Sequence, residues 1–199
     1  MNFIKKVLII CSAVIFVQNL IASEQTQLKT NFLKKIDNVI LTVEDNTLDK
    51  EQRNSKIVDI LSPMVDFELM AKLSLGKTWK TLNTQNKEKF IELYIKRMKQ
   101  SYSSKIDSYK DEKVVVTKID QPKSNRIALI TNLVSNNTAL EIVYKFYKPK
   151  KQKENKSDWL IYDLVILGVS VIKTDKMQFK EFLQTNNITK LMENLEKKL

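Results

Sequence analysis

The sequence predicts an α+β domain, an antiparallel sheet of about four strands covered by helices and able to enclose a cavity. Two observations carry this. The apolar spacing is near 3.6 up to Lys113 and near 2 after it, where β-branched residues take over. Helical patterns then return after the strands, and no internal repeat or low-complexity linker divides the chain.

The elements follow in order. Residues 1–23, "MNFIKKVLIICSAVIFVQNLIAS", read as a cleavable export signal: Lys5 and Lys6 form a basic start, Val7 to Val17 an uncharged apolar stretch, and Ala22 or Ser23 a small residue for cleavage. Cys11 is preceded by Ile9 and Ile10 rather than the small residues of a lipid-attachment site, so the mature chain is expected to lack cysteine. Residues 24–199 are expected to form a single domain.

In "QLKTNFLKKIDNVILTV" the residues Leu28, Phe32, Ile36, Val39, Ile40 and Val43 mark an amphipathic helix. A second helix starts at a cap on Asp49 and carries Ile57, Ile60, Leu61 and Met64 on one side, with a break near Pro63. Asp66 caps the next short helix, which Gly76 ends. The longest helix is expected from a cap at Thr84 to Tyr109.

Four strands are readable: "VVVTKI", "RIALITNLV", "ALEIVYKFY" and the long "WLIYDLVILGVSVI". A turn around Pro122 to Asn125 joins the first two, and Asn136-Asn137 makes a tight connection to the third. "KPKKQKENKSD" reads as a solvated loop before the fourth. Two helices, near Lys176 to Thr185 and from Asn187 onward, close the chain.

Composition excludes several functions. With no histidine, and with the single cysteine inside the leader, the usual zinc, haem and iron–sulfur ligands and the Ser-His and Cys-His nucleophile pairs are missing. Asp66, Glu68 and Asp163 have no acid–base partner by sequence; Asp66 is explained as a cap, and Asp163 as bonding backbone or turning outward. The segment "GVS" at 168–170 is no nucleophile elbow, because Ile172 stands where the second glycine belongs. A net charge of +11 invites nucleic acid, but the excess is lysine, with only Arg53, Arg97 and Arg126 to supply bidentate forks. Attraction to anionic headgroups, about 1 kcal/mol per well-placed lysine, is the remaining reading of the charge.

Apolar binding is the stronger class. Aromatics and methionines gather in the segments that face the sheet: Phe67, Met70, Trp79, Phe90, Tyr94, Met98, Tyr102, Tyr144, Phe146, Trp159 and Tyr162. By composition alone the same residues are core, since a methionine or aromatic stripe is more often packing than pocket. The ligand stays open at this point between a lipid and another apolar molecule such as a quinone or isoprenoid, beside a fully packed protein that meets membrane surfaces.

Three blocks, "VDFELMAKLSLGKTW", "KEKFIELYIKRMKQSY" and "DWLIYDLVILGVSVIKTDKMQF", in this order and spacing, resemble the MlaC family of periplasmic phospholipid carriers, also known as toluene-tolerance auxiliary proteins. The matching positions are Asp66, Phe67, Leu75, Gly76 and Trp79, then Ser101 and Tyr102, then Trp159, Tyr162, Asp163, Gly168, Val169, Ser170 and Phe179. Asp175, Lys176 and Met177 depart from the Tyr-Arg pair that members often carry before the Gln-Phe of the last block.

The resemblance implies a non-enzymatic shuttle in the periplasm that carries phospholipid between outer and inner membranes and maintains outer-membrane lipid asymmetry. It implies no cofactor. A single domain behind an export signal makes a monomer the simplest expectation. Its implied partners are an inner-membrane ABC transporter with an MCE-domain subunit and an outer-membrane lipoprotein complex. Phe67, Met70, Trp79, Tyr94, Met98, Tyr102, Tyr144, Trp159, Ile161, Val169 and Val171 are the expected lipid-binding residues, with Val169 and Val171 sharing one face of the closing strand.

Overall fold

The computed structural model describes the backbone of residues 2–106, 112–135 and 138–199, and side chains within these except at 2–22 and 102–106. Helix α1 (Asn2–Glu44) is followed by α2 (Lys50–Leu61), a 3-10 turn at Ser62–Met64, α3 (Phe67–Leu75), a second 3-10 turn at Thr78–Thr81 and α4 (Thr84–Ile106). The strands are β1 (Lys113–Lys123), β2 (Arg126–Ser135), β3 (Thr138–Tyr147), β4 (Leu160–Ile166) and β5 (Val169–Ser170), and the chain closes with α5 (Val171–Thr185) and α6 (Ile188–Glu196).

Side-chain caps set most helix starts. Asp49 and Gln52 form a reciprocal capping box on α2. The Asp66 carboxylate accepts from the Leu69 N–H at 3.1 Å on α3. Gly76 ends α3 at φ +58°, a left-handed conformation that favours glycine. The expected cap at Thr84 moves one residue back, because Asn83 Oδ1 accepts from the Asn86 N–H at 2.8 Å.

The sheet is an antiparallel meander in the order β1-β2-β3-β4-β5. Register sets Leu129 opposite Tyr144 and Tyr144 opposite Leu164, with Ile127 opposite Phe146 and Phe146 opposite Ile161. These residues share one face, over which α1 lays Leu28 and Phe32 from successive turns. Beside Ile161 the free edge of β4 is closed by Val65, through a parallel bridge and an Asp66 N–H bond to the Ile161 carbonyl at 2.9 Å. Helices α3 and α5 pack against β4 and, with α4 and α6, form a helical body.

Two expectations about the strands are corrected. The long closing strand breaks at Leu167 and Gly168, whose φ values of +49° and +79° make a two-residue turn with both central positions left-handed. That geometry suits the right-handed twist of a hairpin, so the chain reverses into β5 and leaves the sheet as α5. Ser170 caps α5 by accepting from the Lys173 N–H at 3.1 Å. Second, the lysine-rich loop 148–158 is tied to the body of the protein. Lys156 Nζ donates to the Ser62 and Val65 carbonyls at 2.6 and 3.0 Å, and the Ser157 N–H to Pro63 at 2.8 Å. The connection expected at Asn136-Asn137 lies outside the described residues.

Candidate functional site

Two apolar clusters divide the interior. The first joins α1, the Ser62–Met64 turn and the sheet, and buries Leu28, Phe32, Met64, Ile127, Leu129, Phe146, Trp159, Ile161 and Leu164. Phe32 meets Tyr144 edge-on at 4.6 Å between ring centroids and Phe146 at 6.3 Å. Leu33, Ile36, Val114, Val116, Ile119 and Tyr144 pack against it but remain half-buried. Burial pushes the Tyr144 phenol up to about 12, so its hydroxyl stays neutral in an apolar setting.

This cluster opens beside the middle of α1, at residues 24–31, into a cavity of about 290 Å³. Leu28, Met64 and Trp159 belong to both the cluster and the cavity wall, while Glu24, Lys148, Lys156 and Asp158 make the wall charged toward solvent. Lys148 pairs with Glu24 at 2.7 Å and lies 5.9 Å from the Trp159 ring. Opposite α1, the wall is fixed by the strapped loop. Lys153 binds Asp66 at 2.9 Å, and the Tyr147 hydroxyl donates to the same carboxylate. Burial is the largest influence on Asp66 and raises its pKa, yet the bonds from Tyr147, Lys153 and the Leu69 N–H together hold it below the ordinary carboxylate value. Burial likewise pushes Lys156 down.

The second cluster is helical: Met70, Ala71, Leu75, Phe90, Leu93, Tyr94, Met98, Phe179 and Leu191 are among its buried members. Asp175, 2% exposed, accepts from the Tyr94 hydroxyl at 2.8 Å and from Arg97 Nη2 at 2.6 Å. Asp163, the third buried carboxylate, accepts from the Ser170 hydroxyl at 2.8 Å and the Ile172 N–H at 3.2 Å, and pairs with Lys145 at 3.1 Å. Each of these carboxylates is committed to a cap, a strand–helix joint or a guanidinium. Among the described residues no cluster of three or more carboxylate or cysteine side chains could hold a metal ion.

The residues expected to bind lipid therefore fall in different places. Tyr144, Trp159 and Ile161 lie in the sheet cluster. Met70, Tyr94 and Met98 are buried in the helical cluster, against which Phe67 and Trp79 pack half-buried. Val171 touches both clusters. Val169 is 59% exposed and shares no strand face with Val171, because the Leu167–Gly168 turn ends the alternation and Val171 is already helical. The Tyr102 side chain lies outside the described residues. Sequence reasoning passed over Leu28, Phe32, Met64, Ile127 and Leu129 as members of this cluster; for Leu28 and Phe32 the signal was the four-residue spacing of the first helix.

Comparison with known proteins agrees with this architecture. The intermembrane phospholipid transport system binding protein MlaC of Haemophilus influenzae is 25% identical over 138 residues, 68% of this chain and 63% of that protein. The match thus spans less than two thirds of the relative's length. A phospholipid-binding protein from Ralstonia solanacearum, solved in complex with a phospholipid, superposes with a TM-score of 0.71 over 84% of this chain and 94% of that one, at 15% identity, and so shares the fold. The MlaC protein family matches residues 33–197, which takes in the end of α1, α2 to α6, the meander and the strapped loop, and the chain belongs to that family.

Proposed function

We propose that this protein is a periplasmic phospholipid carrier that holds acyl chains between α1 and the apolar face of the sheet. The observation that carries the reading is the sheet cluster itself: a broad aromatic and aliphatic interface, half-buried along α1 and β1, that opens into a charged cavity at one end. Membership of the MlaC family, and a fold shared with a protein solved with phospholipid, support it. A cavity of about 290 Å³ is small for such a cargo, since ligand pockets span roughly 300–1,000 Å³. Acyl chains therefore enter by parting α1 from the sheet.

Two tails of roughly 16 carbons hold about 30 methylenes, which at ~0.8 kcal/mol each give a gross transfer term of about 24 kcal/mol from water. Release into water is negligible, whereas transfer to another apolar site cancels most of that term. A carrier of this kind needs docking partners and no reactive group. The finer elements of the reading are an export signal at residues 1–23, an inner-membrane ABC transporter with an MCE-domain subunit and an outer-membrane lipoprotein complex as partners, and maintenance of outer-membrane lipid asymmetry as the outcome.

Native mass spectrometry of the protein purified from its own periplasm, followed by organic extraction, tests this. Stoichiometric phospholipid is expected. A quinone or isoprenoid in the extract would replace the cargo, and an apo mass with no extractable lipid would overturn the carrier reading.

A further inference from the structure

A groove of about 340 Å³ runs between α4, α5 and α6, away from the α1–sheet interface. Its apolar lining is Phe179, Phe182, Leu191 and Leu195, and its polar lining is Arg97, Gln178, Asn194 and Lys198. No carboxylate lines it among the described residues. The Arg97 guanidinium is held from behind: Asp175 takes Nη2 at 2.6 Å, and the Tyr94 and Phe179 rings lie 6.0 and 5.6 Å from its carbon. Its Nη1 is shielded from solvent and has no hydrogen-bond partner among the described residues. The Arg97 side chain as a whole keeps 31% exposure, and a carboxylate is the group that best pairs with a guanidinium.

Charge and shape thus describe one occupant. Asp175 offsets Arg97, and Lys198 adds a second cation beside an apolar floor. Met177 and Leu199, next in the chain to Gln178 and Lys198, are 65% and 41% exposed. Its volume lies near the lower end of ligand pockets, which suits one or two side chains offered by another protein. We propose that the α4–α5–α6 groove docks a segment of a partner protein that sets a carboxylate, received by Arg97 and Lys198, beside a large apolar side chain. This docking site is separate from the lipid interface and stands or falls independently of it.

The test is a titration of the ¹⁵N-labelled protein with a short acetylated and amidated peptide of Glu-Leu-Leu-Glu repeats, beside its counterpart with glutamine for every glutamate. The glutamate peptide is expected to shift the amides around Phe182 and Asn194 and to bind at least about tenfold more tightly than the glutamine peptide. Lys198→Glu, an exposed substitution that leaves the helices intact, is expected to weaken the glutamate peptide by at least about threefold through the lost pairing and added repulsion. Equal binding of the two peptides would overturn the proposal, as would shifts confined to other surfaces or no shifts at all. Laurate is the competing probe: if it fills the same groove and the glutamate peptide does not displace it, the groove takes free amphiphiles and the partner-protein assignment fails.

Discussion

The helical cluster and the sheet cluster are both apolar, yet they are held in register by different forces. Within the helical body, Tyr94 and Arg97 on α4 converge on the buried carboxylate of Asp175 on α5, and Phe90 meets Tyr94 and Phe179 at ring distances of 6.0 and 5.8 Å. Directional bonds and interlocked rings permit one arrangement. Between α1 and the sheet, the Gln25–Gln121 and Glu24–Lys148 contacts sit near the middle of the helix, and the buried cluster between Leu28, Phe32 and the sheet is aliphatic and aromatic. Such contact is non-directional, so acyl chains can replace it at little cost. On the proposed carrier reading, one cluster persists and the other is exchanged.

The largest expected effect tests the persistent side. Phe90→Ala removes a fully buried ring from the helical cluster and is expected to cost about 3–5 kcal/mol in urea unfolding. The folded fraction should still carry its lipid; a parallel loss of lipid would show that the helical body also lines the cargo site. On the exchangeable side, Ile36→Glu places a carboxylate on the half-buried face of α1, where occupation by lipid would force its desolvation. A cost of about 1–3 kcal/mol corresponds to roughly a tenfold to hundredfold loss of bound lipid, read by extraction from protein whose circular dichroism is unchanged.

A smaller effect concerns acid. The Asp66 pKa is depressed in the folded protein, so the bonds it accepts contribute stability that is complete above the unfolded value of about 3.9 and is lost as pH falls through the lower folded value. Asp66→Asn keeps a capping side chain but loses the charge, and is expected to cost about 1–2 kcal/mol near neutral pH. Denaturant midpoints of the two proteins should begin to converge only as pH falls below about 4 and meet below the depressed folded pKa; midpoints that stay equally far apart in acid would mean the carboxylate charge is not what holds the strap. Least affected is Val169→Glu, at a side chain 59% exposed, which should change stability by less than about 0.5 kcal/mol and leave lipid content unaltered. Loss of lipid there would bring the β4–β5 turn into the cargo site.

Sequence periodicity carried the architecture because period and burial coincide in the long elements. Leu28 and Phe32 recur four residues apart on α1, and β2 alternates buried and half-buried positions. The caps at Asp49 and Asp66 and the stop at Gly76 were legible because each needs only local chemistry. At Val169 the reading failed for a physical reason. Alternating β-branched residues look alike in a strand and in the first turn of a helix, and the reversal depends on Leu167 taking a left-handed backbone that leucine rarely adopts. The division of the aromatics between two clusters was equally hidden, since Tyr94 and Tyr144 each satisfy their own element's pattern and only tertiary packing separates them. Lysine in loop 148–158 carries no mark that distinguishes a solvated ammonium from one that caps the Ser62 and Val65 carbonyls.

That strap gives the cavity walls of unequal compliance. On one side Lys153, Lys156 and Ser157 fasten the loop to the turn before α3 through part-buried and backbone bonds, which salt screens weakly. On the other, the Glu24–Lys148 pair that holds α1 is 33% and 43% exposed, and physiological ionic strength, with a screening length of about 8 Å, already attenuates it. On the proposed carrier reading, cargo exchange would be a swing of α1 against a stationary jamb, and rising ionic strength is expected to quicken the swing while leaving the jamb in place.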